Sequence, residues 1–428
     1  MVKLNINKES LSDLRVSSRF LQMTSQPGQN EHQPANKRSS VNSPPPPRKS
    51  KSKFGWVFGS LSQIGAGPTQ PPPTTDTMLR FWSAVRLNPS MTSTSPSSSP
   101  LPSPHPSPPH NRSCQGSMAL SVRIAVVGDV HDDWDLQEDS KALQLLQPDL
   151  VLFTGDYGNE NVEVVRSIAD LKMTKAAILG NHDCWHTHQF SEKKKDRVQL
   201  QLKCLGDEHV GYKRLDFPLL RLSVVGGRPF SCGGDRLFRP KLLSTRYGVD
   251  NMEGSSKKIC EAALETPHGH SIVLLAHNGP TGLGSKINDI CGRDWVFSGG
   301  DHGDPDLAQA LSDIKASTQL SIPLVVFGHM HKELAYRKGQ RKMIVVSPDS
   351  TVYLNGAIVP RVKYLDDGGG TSEPKFMKAK APPQGGTSRA FTVVEFLNGR
   401  LVKITETWVS VLGEKAELEL EHVLFKQG

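Results

Sequence analysis

No run in the sequence approaches the ~20 consecutive apolar residues that a membrane-spanning helix needs, and no two cysteines stand at C-x-x-C spacing. The six cysteines, at 114, 184, 204, 232, 260 and 291, are scattered. That scatter speaks against a thiolate metal knuckle or a disulfide framework and for reduced thiols, several of them in a core. Internal repeats are absent. Acidic residues are scarce at one end only. Of 51 basic and 43 acidic residues, 13 and 4 fall in residues 1–120, leaving 38 and 39 for the rest. The net charge of +8 therefore belongs to the N-terminal segment. The remainder is close to neutral and offers no basic surface for nucleic acid. A soluble chain without a membrane span is expected.

Apolar periodicity is also missing from residues 1–117, which carry Pro44–Pro47, Pro71–Pro73 and a Ser/Pro tract from Ser93 to Pro109. Such a composition cannot bury enough surface to offset chain entropy, and a disordered tail is predicted. Within it, Met78–Ser117 holds Arg80, Arg86 and Arg112, many hydroxyl residues and no Asp or Glu. Basic, hydroxylated and acid-free is the composition of an organelle transit peptide, and the Ser/Pro bias points to the chloroplast. Without import, a cytoplasmic location is the expectation. A basic RNA-binding arm is the competing reading, weakened by the few aromatic residues available for stacking.

Order is predicted from 121 to 428. Val122–Val127, Leu150–Thr154 and Ala176–Leu179 read as strands, with helices over Glu138–Gln147 and Asn159–Leu171 between them. That β-α-β-α-β alternation implies parallel strands joined by right-handed crossovers, an α/β fold. Further on, a helix is predicted over Ser191–Cys204 and strands over Leu219–Val225, Ser271–Ala276 and Ile322–Phe327. Lys257–Leu264 reads as another helix and Leu283–Asp306 as a long loop. The second half of this ordered part is expected to supply another sheet; its C-terminal portion, 351–428, is β-rich, with Asn398-Gly399 as a two-residue hairpin turn. A flexible insertion is predicted over 366–389, around Gly368–Gly370 and Pro382-Pro383.

One device occurs five times: a short apolar strand ends in a small turn bearing metal-ligand side chains. The turns are Gly128-Asp129-Val130-His131, Gly155-Asp156, Gly180-Asn181-His182-Asp183, Ala276-His277-Asn278 and Gly328-His329-Met330-His331. Singly, each is ordinary turn or helix-cap chemistry. Together they gather Asp129, His131, Asp156, Asn181, His277, His329 and His331 outside the carboxyl ends of strands, where open α/β sheets bind ligands. This oxygen/nitrogen set suits Mn²⁺, Fe²⁺ or Zn²⁺. It is too large for one ion but fits two about 3.5–4 Å apart, provided a carboxylate bridges. Water shared by two cations loses its proton near neutral pH and becomes a strong nucleophile.

The order Asp-x-His, Gly-Asp, Gly-Asn-His-Asp, lone His, Gly-His-x-His resembles the calcineurin-like metallophosphoesterase superfamily, over roughly residues 122–350. The resemblance implies a four-layer α/β/β/α sandwich. It implies Asp129, His131 and His331 as ligands of one ion, Asn181, His277 and His329 as ligands of a second, and Asp156 as the bridge. His182 is similar to the family histidine that donates a proton or hydrogen bond to substrate. Asn159 stands where an Asp orients that histidine. The fused run Gly128–Trp134 is similar to a subgroup of predicted phosphoesterases shared by plants and cyanobacteria.

Two arginines that clamp phosphate in the protein Ser/Thr phosphatases of this superfamily are absent: Gly158-Asn159-Glu160 replaces their Asp-Arg-Gly context, and Leu179 precedes Gly180. Arg228 and Arg293, in Gly-rich loops, are the candidate replacements for binding a substrate anion. The expectation is a dinuclear phosphoesterase acting on a phosphate ester through a metal-bridging hydroxide, with His182, Asp156 and Asn159 catalytic. Two alternatives stay open, a nucleotide or cyclic-nucleotide phosphodiesterase and a non-catalytic metal-binding scaffold. The latter requires missing ligands, and none is missing.

Overall fold

The computed structural model describes residues 119–335, 339–365 and 386–427. The tail 1–117, with its import segment, and residues 366–385 of the predicted insertion lie outside the described residues.

The first five elements follow the predicted alternation: β1 (Ser121–Val127), α1 (Leu136–Leu146), β2 (Leu150–Phe153), α2 (Val162–Ala169) and β3 (Lys175–Ala177). β1 and β2 pair in parallel with Ile124 opposite Leu150, and β3 continues the parallel set beside β2. The Asp135 side chain accepts from the N–H groups of Gln137 and Glu138 and so starts α1. Asn161 does the same for Glu163 and Val164 at the start of α2. That helix begins three residues later than predicted, because Asn159 and Glu160 belong to the turn leaving the site.

The second sheet comes from the middle of the chain. It contains β4 (Arg214–Phe217), β5 (Leu222–Gly226), β6 (Ser271–Leu275), β7 (Leu324–Phe327), β8 (Ile344–Val346) and β9 (Val352–Asn355). Their order is β4-β5-β6-β7-β9-β8. The four inner strands are parallel and the two edges antiparallel.

The second half of the ordered part supplies β7, β8 and β9 to the second sheet, but the strands after them do not join it. β10 (Val362–Tyr364), β11 (Thr387–Leu397), β12 (Arg400–Leu412) and β13 (Lys415–Lys426) return to the first sheet, in the order β13-β12-β11-β1-β2-β3 with β10 on β11. β11 lies antiparallel to β1, Val126 opposite Thr392. Thr387, Ser388 and Arg389, counted into the flexible insertion, are instead the first residues of β11. Asn398 and Gly399 form the predicted hairpin turn, both with positive φ (51° and 76°) between Leu397 and Arg400.

Side chains alternate across each strand, and the core divides accordingly. Ile124, Val126 and Leu152 of the first sheet meet Val273, Leu275 and Val326 of the second in an apolar layer between the sheets. Ala125, Val127 and Phe153 face outward and pack with Ala142 and Leu143 of α1 and Val165 of α2. Four more helices complete the described set: α3 (Arg197–Leu205), α4 (Pro240–Tyr247), α5 (Met252–Leu264) and α6 (Pro305–Ser317). The result is an α/β fold with two mixed sheets face to face and helices outside them. α3 starts six residues after the predicted Ser191, and the Lys193–Lys195 run precedes it in an irregular segment.

Candidate metal centre

All five ligand-bearing turns lie at the carboxyl ends of parallel strands, three from the first sheet (β1, β2, β3) and two from the second (β6, β7). Face-to-face packing of the sheets brings the two groups together. The leading glycines are needed because no side chain fits. A Cβ at Gly180 would lie 2.2 Å from Asp156 Oδ1 and 2.5 Å from His277 Cε1, and one at Gly328 would lie 2.1 Å from Asp129 Oδ1. Three of the ligand-type residues, His131 (φ 45°), Asp156 (φ 52°) and His329 (φ 66°), hold left-handed backbone. Such strain concentrates at functional sites and persists only where the surroundings enforce it.

The structure brings six of the predicted ligands, together with His182, into three overlapping groups: Asp129, His131 and His331; His131, Asp156 and His182; and Asp156, His277 and His329. Within each, the potential ligand atoms lie within 4.8 Å of one another. His131 Nε2 and His331 Nε2 are 3.0 Å apart, and His331 Nε2 is 3.5 Å from Asp129 Oδ2. His277 Nε2 lies 3.3 Å from Asp156 Oδ1 and 2.9 Å from Asn181 Oδ1. Asp129, Asp156, Asn181 and His277 form a buried floor. His131, His182, His329 and His331 are half-buried and form the rim. A ligand therefore approaches from the imidazole side.

The electrostatics fit a cation. Burial pushes the Asp129 carboxyl up, but its hydrogen bond to His331 and the field of His277 prevail and bring it to about 2. Asp156 is likewise held well below the usual carboxylate range, chiefly by His277 against the opposing effect of burial. Burial and His331 bring His131 down to about 4, and burial with the field of His277 depresses His329. Two carboxylates are thus ionised while two imidazoles are neutral, the protonation states metal ligation requires. His277 differs: burial opposes its charge, yet Asp156 wins and lifts it to about 10. Without a cation, a proton on His277 serves as the counter-charge. The donor atoms, their spacing and their protonation fit divalent ions.

Several supporting residues escaped the sequence reading. Buried Asp183 accepts hydrogen bonds from the backbone N–H groups of Asp156, Tyr157 and Gly180 (2.9, 2.9 and 2.7 Å), tying two ligand turns together. The Thr154 carbonyl accepts from His277 Nδ1 at 2.7 Å, which directs Nε2 into the cluster. His182 Nδ1 donates to Asn159 Oδ1 at 2.7 Å, the relationship expected of that pair. The position of Asp183 in Gly-Asn-His-Asp was a usable signal; nothing in the sequence marked Thr154.

Arg228 is a correction. Its guanidinium is buried and bonded to Asp304 (2.8 Å) and Asp306 (2.9 Å), so its charge is neutralised inside the protein and is not presented to a substrate. Both acids stand at the start of α6, more than 70 residues away in the chain, where a sequence reading had no means to pair them. Arg293 is half-buried in the loop before α6, and its charge, after burial, helps depress His302. The His302 ring lies near-parallel to that of His329, centroids 6.1 Å apart. The Arg293 backbone N–H donates to the Gly300 carbonyl at 2.9 Å, which sets Arg293 close along the loop to His302.

Comparison with known proteins agrees with this geometry. Residues 122–333 match the family model described as calcineurin-like phosphoesterase. No curated protein matches. Among solved structures, a dimetal phosphatase from Danio rerio is similar at 11% identity and a TM-score of 0.38, covering 69% of this chain and 98% of that one. A phosphopantetheinyl hydrolase from Mycobacterium tuberculosis is similar at 12% identity and a TM-score of 0.32, covering 55% and 89%. A predicted phosphoesterase from Streptococcus pneumoniae is similar at 11% and 0.25, covering 71% and 98%. Likenesses this distant carry no argument beyond themselves; the family model does. The chain belongs to the calcineurin-like metallophosphoesterase superfamily. It is accordingly a hydrolase of phosphoric ester bonds, with Asp/His groups able to hold metal.

Proposed function

We propose that the chain is a dinuclear phosphoesterase in which Asp129, His131 and His331 hold one divalent ion, Asn181, His277 and His329 a second, and Asp156 both. The observation that supports this reading is the place of Asp156 in two ligand-type groups, with His131 and His182 on one side and His277 and His329 on the other. Divalent ions bound there supply Lewis acidity toward a phosphoryl oxygen and acidify water at the site. The protein's own residues do the rest. Asn159 keeps the Nδ1 proton of His182 in place, so that Nε2 faces the rim. There it gives a proton or hydrogen bond to the leaving oxygen as its bond to phosphorus breaks. Arg293, in the loop beside His302, is the remaining candidate for steering the substrate anion.

The test uses the full chain, stripped of metal and reloaded with Mn²⁺, Fe²⁺ or Zn²⁺, on a chromogenic phosphomonoester and the matching diester. Asp156→Asn abolishes turnover and lowers the metal bound. His182→Ala keeps its metal and slows turnover of an ester with an alkyl leaving group, which needs a proton, by roughly 10²–10⁴-fold, the usual contribution of a positioned proton donor. A wild-type chain that binds both ions yet cleaves neither ester would make the scaffold reading the better one. Cleavage of the diester alone would favour the phosphodiesterase alternative.

The acid-free stretch Met78–Ser117 supports a second proposal, import into the plastid. Residues 1–120 fused to a fluorescent protein test it: plastid fluorescence supports import and a cytoplasmic signal rejects it. The Gly128–Trp134 run supports placement in the plant and cyanobacterial subgroup.

A further inference from the structure

His182 and Trp185 belong to one tight turn. A single 3-10 turn spans His182–Cys184, closed by the bond from the Trp185 N–H to the His182 carbonyl at 3.2 Å. Side chains three apart eclipse in 3-10 geometry. The two rings accordingly lie face to face, centroids 4.9 Å apart and planes 12° apart. Asn159 fixes the imidazole in its plane through Nδ1 at 2.7 Å. Trp185 covers its face. The two contacts leave His182 little freedom, with its ring perpendicular to that of His131 at 5.1 Å.

Core packing does not account for Trp185. It is half-buried and belongs to none of the hydrophobic clusters among the described residues, although its neighbour Phe238 packs against one of them. Its position is secured from outside by Arg239, which precedes α4. Arg239 Nε donates to the Cys184 carbonyl at 3.0 Å, and its Nη2 donates to the Trp185 carbonyl. These carbonyls lie at the end of a turn with no further helix to satisfy them. The same guanidinium covers the Phe238 ring at 4.3 Å, and Phe238 stands 6.2 Å from Trp185.

We infer that Trp185 is a positioning residue for His182, held in turn by Arg239, and that it governs proton delivery to the leaving group. The inference rests on the proposed role of His182. In that step the bond from phosphorus to the leaving oxygen breaks, the proton passes from His182 Nε2 to that oxygen, and a water oxygen forms the new bond to phosphorus while one of its protons is released to solvent, from which His182 is reprotonated. An imidazole free to tilt would still leave the cations and the nucleophile in place. Its loss of aim would therefore penalise only leaving groups that need the proton.

The experiment compares full-length, metal-loaded wild type, Trp185→Ala, Trp185→Phe, Arg239→Met and His182→Ala on two esters of the class the wild type hydrolyses. One carries a p-nitrophenyl leaving group, which departs without a proton; the other carries an alkyl group, which needs one. Trp185→Ala should lose about tenfold or more in kcat on the alkyl ester, within the span of general-acid effects, with KM and the nitrophenyl rate nearly unchanged. Trp185→Phe should recover most of the loss, and Arg239→Met should follow Trp185→Ala. Independently of turnover, NMR of the metal-free protein should show the His182 ring protons shifted upfield in the wild type and relaxed in Trp185→Ala. Equal loss on both esters, an unchanged ratio, or no upfield shift in the wild type would overturn the inference. If His182→Ala shows no leaving-group dependence, the proton-donor role falls and this inference with it. A His182→Ala effect without a Trp185→Ala effect removes this inference alone.

Discussion

His277 and Asp156 form a buried pair, Nε2 to Oδ1 at 3.3 Å, with the imidazole Nδ1 anchored to the Thr154 carbonyl. Asp156 lifts the His277 pKa to about 10 in the absence of a cation, against the opposing effect of burial. A divalent ion bound at Nε2 must expel that proton. Metal binding between pH 7 and 9 is therefore expected to release a proton, and apparent affinity to fall by about tenfold per pH unit on acidification in this range. Calorimetry of Zn²⁺ binding in two buffers of different ionisation enthalpy measures the release. Equal binding heats in both buffers would contradict it.

Gly180 carries a sharper steric prediction. Its missing Cβ leaves room for Asp156 Oδ1 and His277 Cε1, which a methyl group would meet at 2.2 and 2.5 Å. Gly180→Ala should fold, since Gly180 is not among the residues with positive φ, but should displace both ligands. Misplacement of reacting groups by an ångström costs about 10²-fold. Activity should fall at least that far, with bound metal reduced and circular dichroism preserved. Unchanged metal content would refute the steric argument.

Arg228 should act on stability, not on substrate affinity. Breaking a buried ion pair from one side costs about 3–5 kcal/mol, because the remaining charges stay buried and unpaired. Arg228→Met is expected to lower the urea midpoint accordingly, while KM of the folded enzyme is retained. A raised KM with unchanged stability would restore the anion-clamp reading.

Acid stability should carry the signature of His209, which is 3% exposed and whose pKa burial brings down to about 3. Unfolded, the imidazole titrates near ~6.5. Between those values the unfolded chain binds the extra proton, so this contribution is intact above pH 6.5 and is lost as pH falls toward 3. His209→Leu should flatten the dependence of the urea midpoint on pH from 6.5 downward in metal-free protein. An unchanged slope would show that His209 is protonated in the folded state.

The site was legible because its signal is local. An apolar strand, a glycine and a ligand type lie within a few residues of each other, and the parallel crossover rule says which strand ends face the same way. Sheet membership was not legible. β11 joins the first sheet because Ser121 meets Leu397 across some 276 positions, and apolar alternation in β11 fits either sheet equally. The solvent-exposed β13 lacks a continuous apolar face, whereas α6 has one in Leu307, Ala310, Leu311 and Ile314 but starts within a Gly- and Asp-rich segment that reads as loop. Arg228 was misread because a Gly-rich loop looks alike whether its arginine turns to solvent or inward to Asp304 and Asp306. Trp185 needed the turn type, which the residues of Gly-Asn-His-Asp do not by themselves specify.

The central claim is that Asp156 joins two cations, and manganese magnetic resonance tests it most directly. The full chain loaded to saturation with Mn²⁺ should bind two ions and give the exchange-coupled spectrum of a pair about 3.5–4 Å apart. Asp156→Asn should convert it to the six-line signal of isolated ions. A six-line signal from the saturated wild-type protein would contradict the account.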